Sequence, residues 1–380
     1  MPATPTQGHV VVAPDKFKGT LEGAEAAARI AAGIRRVRPG VEVRELPVAD
    51  GGEGTLAAAL AAGFTRVPAK VSGPTGLPVD AALALRGRTA VVELAQASGL
   101  SQLPGGRTAP LAAGSFGVGQ LIAKAVSLGA ERVVLGLGGS ACTDGGAGMV
   151  QALGVGLYDA EGAELAPGGA ALRRLHRLDP GVLADLLAGV EVVVACDVDN
   201  PLLGPRGAAA VYGPQKGAGE ADLAVLEAGL TRWADLVQES TGRDVRQAPG
   251  AGAAGGVGFA ALALLGATMR PGIELLLELL GFDEAVRGAR LVVTGEGCLD
   301  AQTLHGKAPA GVAAAATGAG VPVAAVAGRL ELGEREWRTA GFAAAYALTD
   351  LAEEAGDSLT RAGELAELAG ETLARDLLSD

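Results

Sequence analysis

Apolar runs recur along the chain, each followed by a polar or glycine-bearing turn and then by apolar residues at helical spacing. The runs lie at 10–13, 41–48, 132–137, 190–196, 291–294 and 321–327. Short runs rich in Val and Ala, bounded by turn residues, predict buried strands. Ala24, Ala27, Ala31 and Ile34 keep three- to four-residue spacing after a Thr20 N-cap, and Val118, Leu121, Ile122, Ala125 and Leu128 do so up to Gly129. Segments 79–85 and 89–94 flank Arg86, Gly87 and Arg88 as a hairpin would, and 357–378 reads as an amphipathic helix. Alternating strands and helices predict the α/β class with mainly parallel sheets. No internal repeat or low-complexity linker marks a domain boundary.

The conspicuous polar residues follow the strands. Asp15 and Lys16 follow the first run, and Asp50, Gly51, Gly52 and Glu53 the second. Gly138, Gly139 and Ser140 follow the third, Asp197, Asp199 and Asn200 the fourth, Glu296 the fifth, and Gly328 and Arg329 the last. Ligands of open parallel sheets bind beyond the carboxyl ends of strands. A turn needs Gly or Asp for its own sake, which accounts for any one of these segments. It accounts poorly for the recurrence of lysines and paired acids.

Composition narrows the classes. A chain of 380 residues carries a prior of two domains and can bury large cores. Its 60 glycines have no three-residue period, which excludes collagen, and its apolar content excludes a disordered chain. A net charge of −12 argues against coating nucleic acid or anionic lipid. Cys142, Cys196 and Cys298 form no CxxC pair, as expected of a reduced compartment. No secretory signal pattern is present, and the charge-free stretches 247–269 and 308–328 are broken by glycines and prolines. A cytoplasmic protein without membrane or nucleic-acid partners is expected. Six lysines stand against 25 arginines, and Asn200 is the one asparagine. Four of those lysines, Lys16, Lys18, Lys216 and Lys307, fall in the polar segments.

Among those segments 136–148 is the densest, with Gly138, Gly139, Ser140, Thr143, Asp144, Gly145 and Gly146 between a strand and a predicted helix. Glycines let backbone N–H groups converge on an anion, and the helix N-terminus adds positive potential. Ser140 and Thr143 add donors, and Asp144 is a candidate for a cation beside phosphate. Asp197 and Asp199, two apart, share a face of an extended segment and can reach one metal ion or hydroxyl. Lys216, in Gly-Pro-Gln-Lys-Gly, is a candidate phosphate cation, as are Lys16 and Lys18 at the first strand's end. Glu296, Asp300, Gln302, Thr303 and Lys307 crowd one further strand-to-helix segment; His305 within it is left unassigned. Gly250, Gly252 and Gly255 match GxGxxG, but no strand precedes them, which argues against a dinucleotide site. Gly306 and Lys307 lack the rest of a Walker loop.

Taken in order, these segments resemble the bacterial glycerate kinases related to the enzymes of glucarate and glyoxylate metabolism. The resemblance runs from 13–20 through 49–55, 138–148, 196–205, 213–217 and 250–258 to 294–297, 300–303 and 306–307, nearly the whole chain. Cys298 and the pair Cys142–Thr143 depart from the usual pattern. It implies two α/β domains around a cleft, one flavodoxin-like with a parallel sheet, assembled from 1–72 and 283–380, and a mixed α/β domain from 73–282. It implies ATP-dependent phosphorylation of D-glycerate with Mg²⁺, giving 2-phosphoglycerate, and is compatible with a homodimer. On that basis Asp197 is the expected base, with Lys16 and Lys18 on the carboxylate or the transferred phosphoryl group. Gly138, Gly139, Ser140, Thr143, Gly145 and Gly146 are expected on ATP, and Asp144 and Asp199 on the metal. Asp15, Asp50, Glu53, Asp199, Asn200, Lys216, Glu296, Asp300, Gln302 and Lys307 are expected around the substrate. A kinase for another small hydroxy acid, or a non-catalytic nucleotide-binding regulator, are the alternatives.

Overall fold

A computed structural model describes residues 8–354 and 356–378; the side chain of His305 lies outside the described set. Among the described residues the strands are, in chain order, β1 His9–Pro14, β2 Val43–Glu45, β3 Thr65–Ser72, β4 Pro78–Arg86, β5 Thr89–Glu93, β6 Arg132–Gly136, β7 Gly156–Tyr158, β8 Arg177–Asp179, β9 Glu191–Ala195, β10 Thr268–Arg270, β11 Ala289–Leu299, β12 Val323–Leu330 and β13 Phe342–Ala347. The chain divides into two compact units, one of 1–50, 57–63 and 273–380, the other of 51–56 and 64–272.

The first unit holds a five-stranded sheet in the order β13-β12-β11-β1-β2, parallel throughout. Counted within the unit this is the flavodoxin-like order 2-1-3-4-5. Alternation on the strands sorts the core into two layers. Val10, Val12, Leu291 and Val293 pack with helix Gly23–Val37 and helix Ala362–Leu377, whereas Val11, Ala13 and Val292 pack with helix Ala308–Gly318 on the other face. Gly33 and Gly370 let the first two helices touch, since a Cβ at either would overlap the partner's backbone. Crossovers from β1 and from β11 thus leave on opposite faces. That opens a crevice at the carboxyl ends of these neighbouring strands.

The second unit holds a mixed sheet in the order β10-β9-β6-β5-β4-β3. β5, β6, β9 and β10 are parallel, and β4 and β3 continue it antiparallel. One continuous core lies on the face that Ala90, Val92, Val133, Leu135, Val192 and Val194 share, with Trp233 fully buried and edge-on to Phe259 at 6.4 Å between centroids. The α/β class with one parallel and one mixed sheet is therefore as expected.

Several local expectations are corrected. Thr20 does not cap the first long helix; its hydroxyl donates to the Phe17 carbonyl within a turn, and the cap position is Glu22. The run 41–48 gives only a three-residue strand, although Leu46 and Val48 still donate to the Val12 and Pro14 carbonyls of β1. The segment 65–72, placed with the first domain by the expected boundary, pairs with β4 along its whole length as the edge of the second sheet. The C-terminal segment is two helices, Asp357–Thr360 and Ala362–Leu377, interrupted at Arg361. No described helix is long and apolar enough to cross a membrane.

Candidate functional site

In the first unit the crevice between β1 and β11 gathers the expected acids and lysines. The Asp15 N–H donates to the Gly295 carbonyl at 2.8 Å, which fixes the chain just past β1 against β11. The Asp15 side chain is half-buried, and its Oδ1 accepts the Lys16 N–H at 2.6 Å. Burial, then repulsion from Asp50, push its carboxyl up to about 7; the Lys16 N–H opposes this and Glu296 adds to it. Lys18 is exposed on the same turn. A Cβ at Gly297 would crowd the Lys18 N–H at 2.9 Å, so glycine there lets the turn lie on β11.

Glu296 anchors the rest of the crevice. It is almost fully buried, and its Oε1 accepts the Thr303 hydroxyl at 2.5 Å. Asp300 Oδ1 accepts N–H groups of Gln302 at 2.8 Å and Thr303 at 3.1 Å. Lys307 Nζ lies 3.6 Å from Asp300 and 3.9 Å from Glu296. Burial raises the Glu296 carboxyl against the pull of Thr303 and Lys307. Asp300 has the opposite balance: desolvation, its largest single contribution, is outweighed by the Thr303 N–H, Lys307 and the Gln302 N–H together, and its carboxyl is lowered. Gln302 contributes its backbone, not its exposed side chain. The residue after Gly297, Cys298, pairs in register with Arg329 of β12, whose charge is drawn to it.

In the second unit the glycine-rich segment after β6 is held from several sides. Gly139 has φ +72°, and a Cβ there would press on Glu53. Gly145 and Gly146 also sit in the left-handed region. The backbone N–H groups of 141, 143 and 145 donate to the carbonyls of Ser98, Ala113 and Gly255. Those of Gly139, Ser140, Cys142 and Asp144 donate to no backbone carbonyl among the described residues. This is a set of donors that an anion can satisfy. The Ser140 side chain lies with them, half-buried.

Two residues of this segment, and Lys216 of the 213–217 turn, are held by the scaffold. Asp144, expected on a metal, is buried. Its Oδ2 accepts the Ser115 N–H, the Ser115 hydroxyl and the Gly148 N–H at 2.8–3.0 Å, and its Oδ1 the Gly146 N–H at 3.3 Å. With those acceptor sites taken it staples the loop to the following helix. Burial raises its carboxyl, and the four donors oppose the rise. Thr143, expected on ATP, is buried and donates to the Pro110 carbonyl at 2.5 Å. Lys216, expected on phosphate, is 2% exposed and donates to the Cys142 carbonyl at 2.6 Å.

The segment after β9 is likewise mostly structural. Asp197 is exposed, and its Oδ1 accepts the Gly272 N–H at 2.7 Å, at the start of helix Gly272–Leu280. Asp199 faces Arg206 at 3.0 Å, both largely exposed. Asn200 donates to the Arg206 carbonyl at 2.8 Å and accepts the Tyr212 hydroxyl at 2.6 Å, so the one asparagine braces a loop. The GxGxxG match serves packing. Ala254, Gly255 and Gly256 all have positive φ, and Gly255 lies so close to the Cys142 carbonyl that no Cβ fits.

Glu93, the last residue of β5, joins these residues although no motif in the sequence marks it. It is buried, its carboxyl is raised by burial, and it accepts the Leu56 N–H at 2.8 Å, holding the turn that carries Gly52 and Glu53. An acid at a strand's end was the available signal. Among the described residues the one trio of candidate metal-ligand atoms is Cys298, Asp300 and Glu331. Its thiol and neighbouring Arg329 suit a hard divalent cation poorly. Glu53, an oxygen donor over the glycine-rich segment, suits it better.

The glycerate kinase family profile matches residues 10–378. A glycerate kinase of Bacillus subtilis is 44% identical over 371 residues, covering 97% of either chain. A glycerate 2-kinase of Escherichia coli is 45% identical, covering 84% of this chain and 85% of its own. A crystal structure from Salmonella typhimurium LT2, of a protein assigned as glycerate kinase 2, superposes with a TM-score of 0.86 at 41% identity. It covers 98% of this chain and 99% of that one. Both sheets, the crevice acids and the glycine-rich segment thus fall inside one continuous likeness, and the chain belongs to the glycerate kinase family and is a kinase.

Proposed function

We propose that this chain phosphorylates D-glycerate from ATP, with Mg²⁺ accompanying the nucleotide, and that the product is 2-phosphoglycerate. The choice of the 2-hydroxyl draws on the printed name of the Escherichia coli relative. The observation that carries the reading is the β1–β11 crevice, where a carboxyl shifted to about 7 feels the Lys16 ammonium. A hydroxy acid needs both, a cation for its carboxylate and a base for its hydroxyl. Phosphoryl transfer asks the protein chiefly for positioning and charge neutralisation.

In this reading Lys16 and Lys18 bind the glycerate carboxylate or the incoming phosphoryl group. Asp15 replaces Asp197 as the base, because a group titrating near neutrality combines adequate basicity with the right protonation state. Asp197, whose carboxylate already holds a helix N-terminus, is assigned to the scaffold. Glu296, Asp300 and Lys307 orient the crevice, with Asp50 setting the charge around Asp15. Gly139 and Ser140 offer backbone donors to the nucleotide phosphates, whereas the Gly138 N–H is tied to the Gly51 carbonyl, and Glu53 is the carboxylate that would hold Mg²⁺. When bound there, the ion neutralises phosphate charge.

The test couples ADP release to D-glycerate addition, with phosphorus NMR of the product. Release that depends on D-glycerate and yields the 2-phosphate supports the reading. Release with tartronate or lactate alone redirects it to another hydroxy acid, and no release with any of them favours a regulator. Asp15→Asn is expected to lower kcat by about 10²–10⁴, the usual worth of a general base, and Asp197→Asn by far less. The reverse order would return the base to Asp197.

A further inference from the structure

Lys216 is a buried cation with no solvent to hydrate it. It ends a short turn, Pro214–Lys216, and ranks among the largest fully buried side chains of the protein. Burial depresses its ammonium, with Cys142 and Asp144 opposing the shift. An apolar residue of similar length would avoid that desolvation cost but would leave the Cys142 carbonyl without its donor. What the lysine adds is a hold on that one peptide.

Its one hydrogen-bond acceptor among the described residues is the Cys142 carbonyl, at 2.6 Å. That carbonyl accepts no backbone donor. It lies in the middle of the segment whose N–H groups alternate between two fates. Those of 141, 143 and 145 are tied to carbonyls of the scaffold, and those of 140, 142 and 144 are not. Such alternation is the habit of extended backbone, in which successive N–H groups point to opposite sides and the N–H and C=O of one residue to the same side. The ammonium thus grips the segment on the side of its uncommitted donors.

We propose that Lys216 is a positioning residue, whose buried ammonium fixes the Cys142 peptide and so holds the N–H groups of residues 140, 142 and 144 in place for the nucleotide phosphates. The proposal rests on the nucleotide site assigned above and adds the group that keeps it in shape. Removing the donor frees a buried carbonyl, which then rotates to find another partner and takes the neighbouring N–H groups with it. Preorganised donors lose their value when they move, even by a fraction of an ångström.

The experiment compares Lys216→Met and Lys216→Gln with the parent protein, by thermal unfolding and by titration calorimetry with ADP and, separately, with D-glycerate. The expected result is a folded, cooperatively melting Lys216→Met, in which relief of desolvation offsets the lost hydrogen bond. Its ADP affinity is expected to fall at least tenfold, and its D-glycerate affinity to stay within twofold. Lys216→Gln, which keeps a donor, is expected to recover part of the ADP affinity. ADP binding within twofold of the parent in a folded Lys216→Met would overturn the proposal, as would equal weakening of both ligands. Failure of both variants to fold would overturn it too, since Lys216 would then be a determinant of the fold. If the parent itself does not bind ADP, the nucleotide reading fails before the variants are compared.

Discussion

A carboxyl lifted to about 7 changes both chemistry and stability, and Asp15 allows the two to be separated. Its ordinary value is 3.8, so between that pH and about 7 the folded protein keeps a proton that the unfolded chain releases. Stability present in acid is therefore lost as pH rises through that window, and the loss is complete above it. At 1.36 kcal/mol per unit the ceiling is about 4 kcal/mol. Asp15→Asn cannot ionise, so its melting temperature is expected to exceed the parent's at pH 8 and to match it near pH 4. Its activity is expected to be low at both. For the parent, kcat/KM is expected to climb with pH to a plateau above about 7, and this limb should vanish in the variant. A variant no more stable than the parent at pH 8 would show that Asp15 is ordinary in the folded protein.

At the scale of elements, the glycine-rich segment is shaped by what packs on it. Gly255 meets the Cys142 carbonyl and has φ +68°, so Gly255→Ala adds both an overlap and a left-handed strain. A loss of about 3 kcal/mol is expected in urea unfolding, with weakened nucleotide binding. Its neighbour Ala254 already carries a side chain at φ +52°. Ala254→Gly relieves that strain while loosening the unfolded chain, and a gain of up to about 1 kcal/mol is expected. The contrast tests whether close approach or backbone conformation dictates glycine here. The elements legible in the sequence were the fully buried parallel strands β1, β6, β9, β11 and β12, which read as unbroken apolar runs. β3 was not, because an edge strand tolerates Pro68 and Lys70. β13 is alanine-rich and lacks the β-branched residues that signal a strand. The candidate site was legible as a set of strand ends, but the direction of each side chain was not. Asp144, Lys216 and Asn200 look in sequence like ligand-binding residues. Asp144 and Lys216 are buried and Asn200 is half-exposed, and neighbouring loops take the hydrogen bonds a ligand was expected to take.

At the scale of the molecule, chain order and spatial order disagree for one unit and agree for the other. The first unit draws β1 and β2 from the beginning and β11, β12 and β13 from the end, and packs helix Gly23–Val37 on helix Ala362–Leu377. Residues 1–63 alone hold two of the five strands and leave the β11 side of β1 unpaired. The second unit keeps its six-stranded sheet within 65–270 and its buried core within 71–267. A continuous stretch of this size can close a core of its own. Residues 51–272 expressed alone are expected to fold, and residues 1–63 alone are not. Trp233 supplies the readout, because the other tryptophan, Trp337, lies outside that fragment. In the whole chain the Trp233 ring is fully buried and its Nε1–H donates to the Gly145 carbonyl at 2.9 Å, within the glycine-rich segment itself. A folded fragment should therefore show blue-shifted tryptophan emission and a cooperative thermal transition that ADP raises by mass action. Red-shifted emission with a broad transition would mean that the second unit needs residues of the first to close its core. A cooperative fragment indifferent to ADP would place the nucleotide contacts outside residues 51–272.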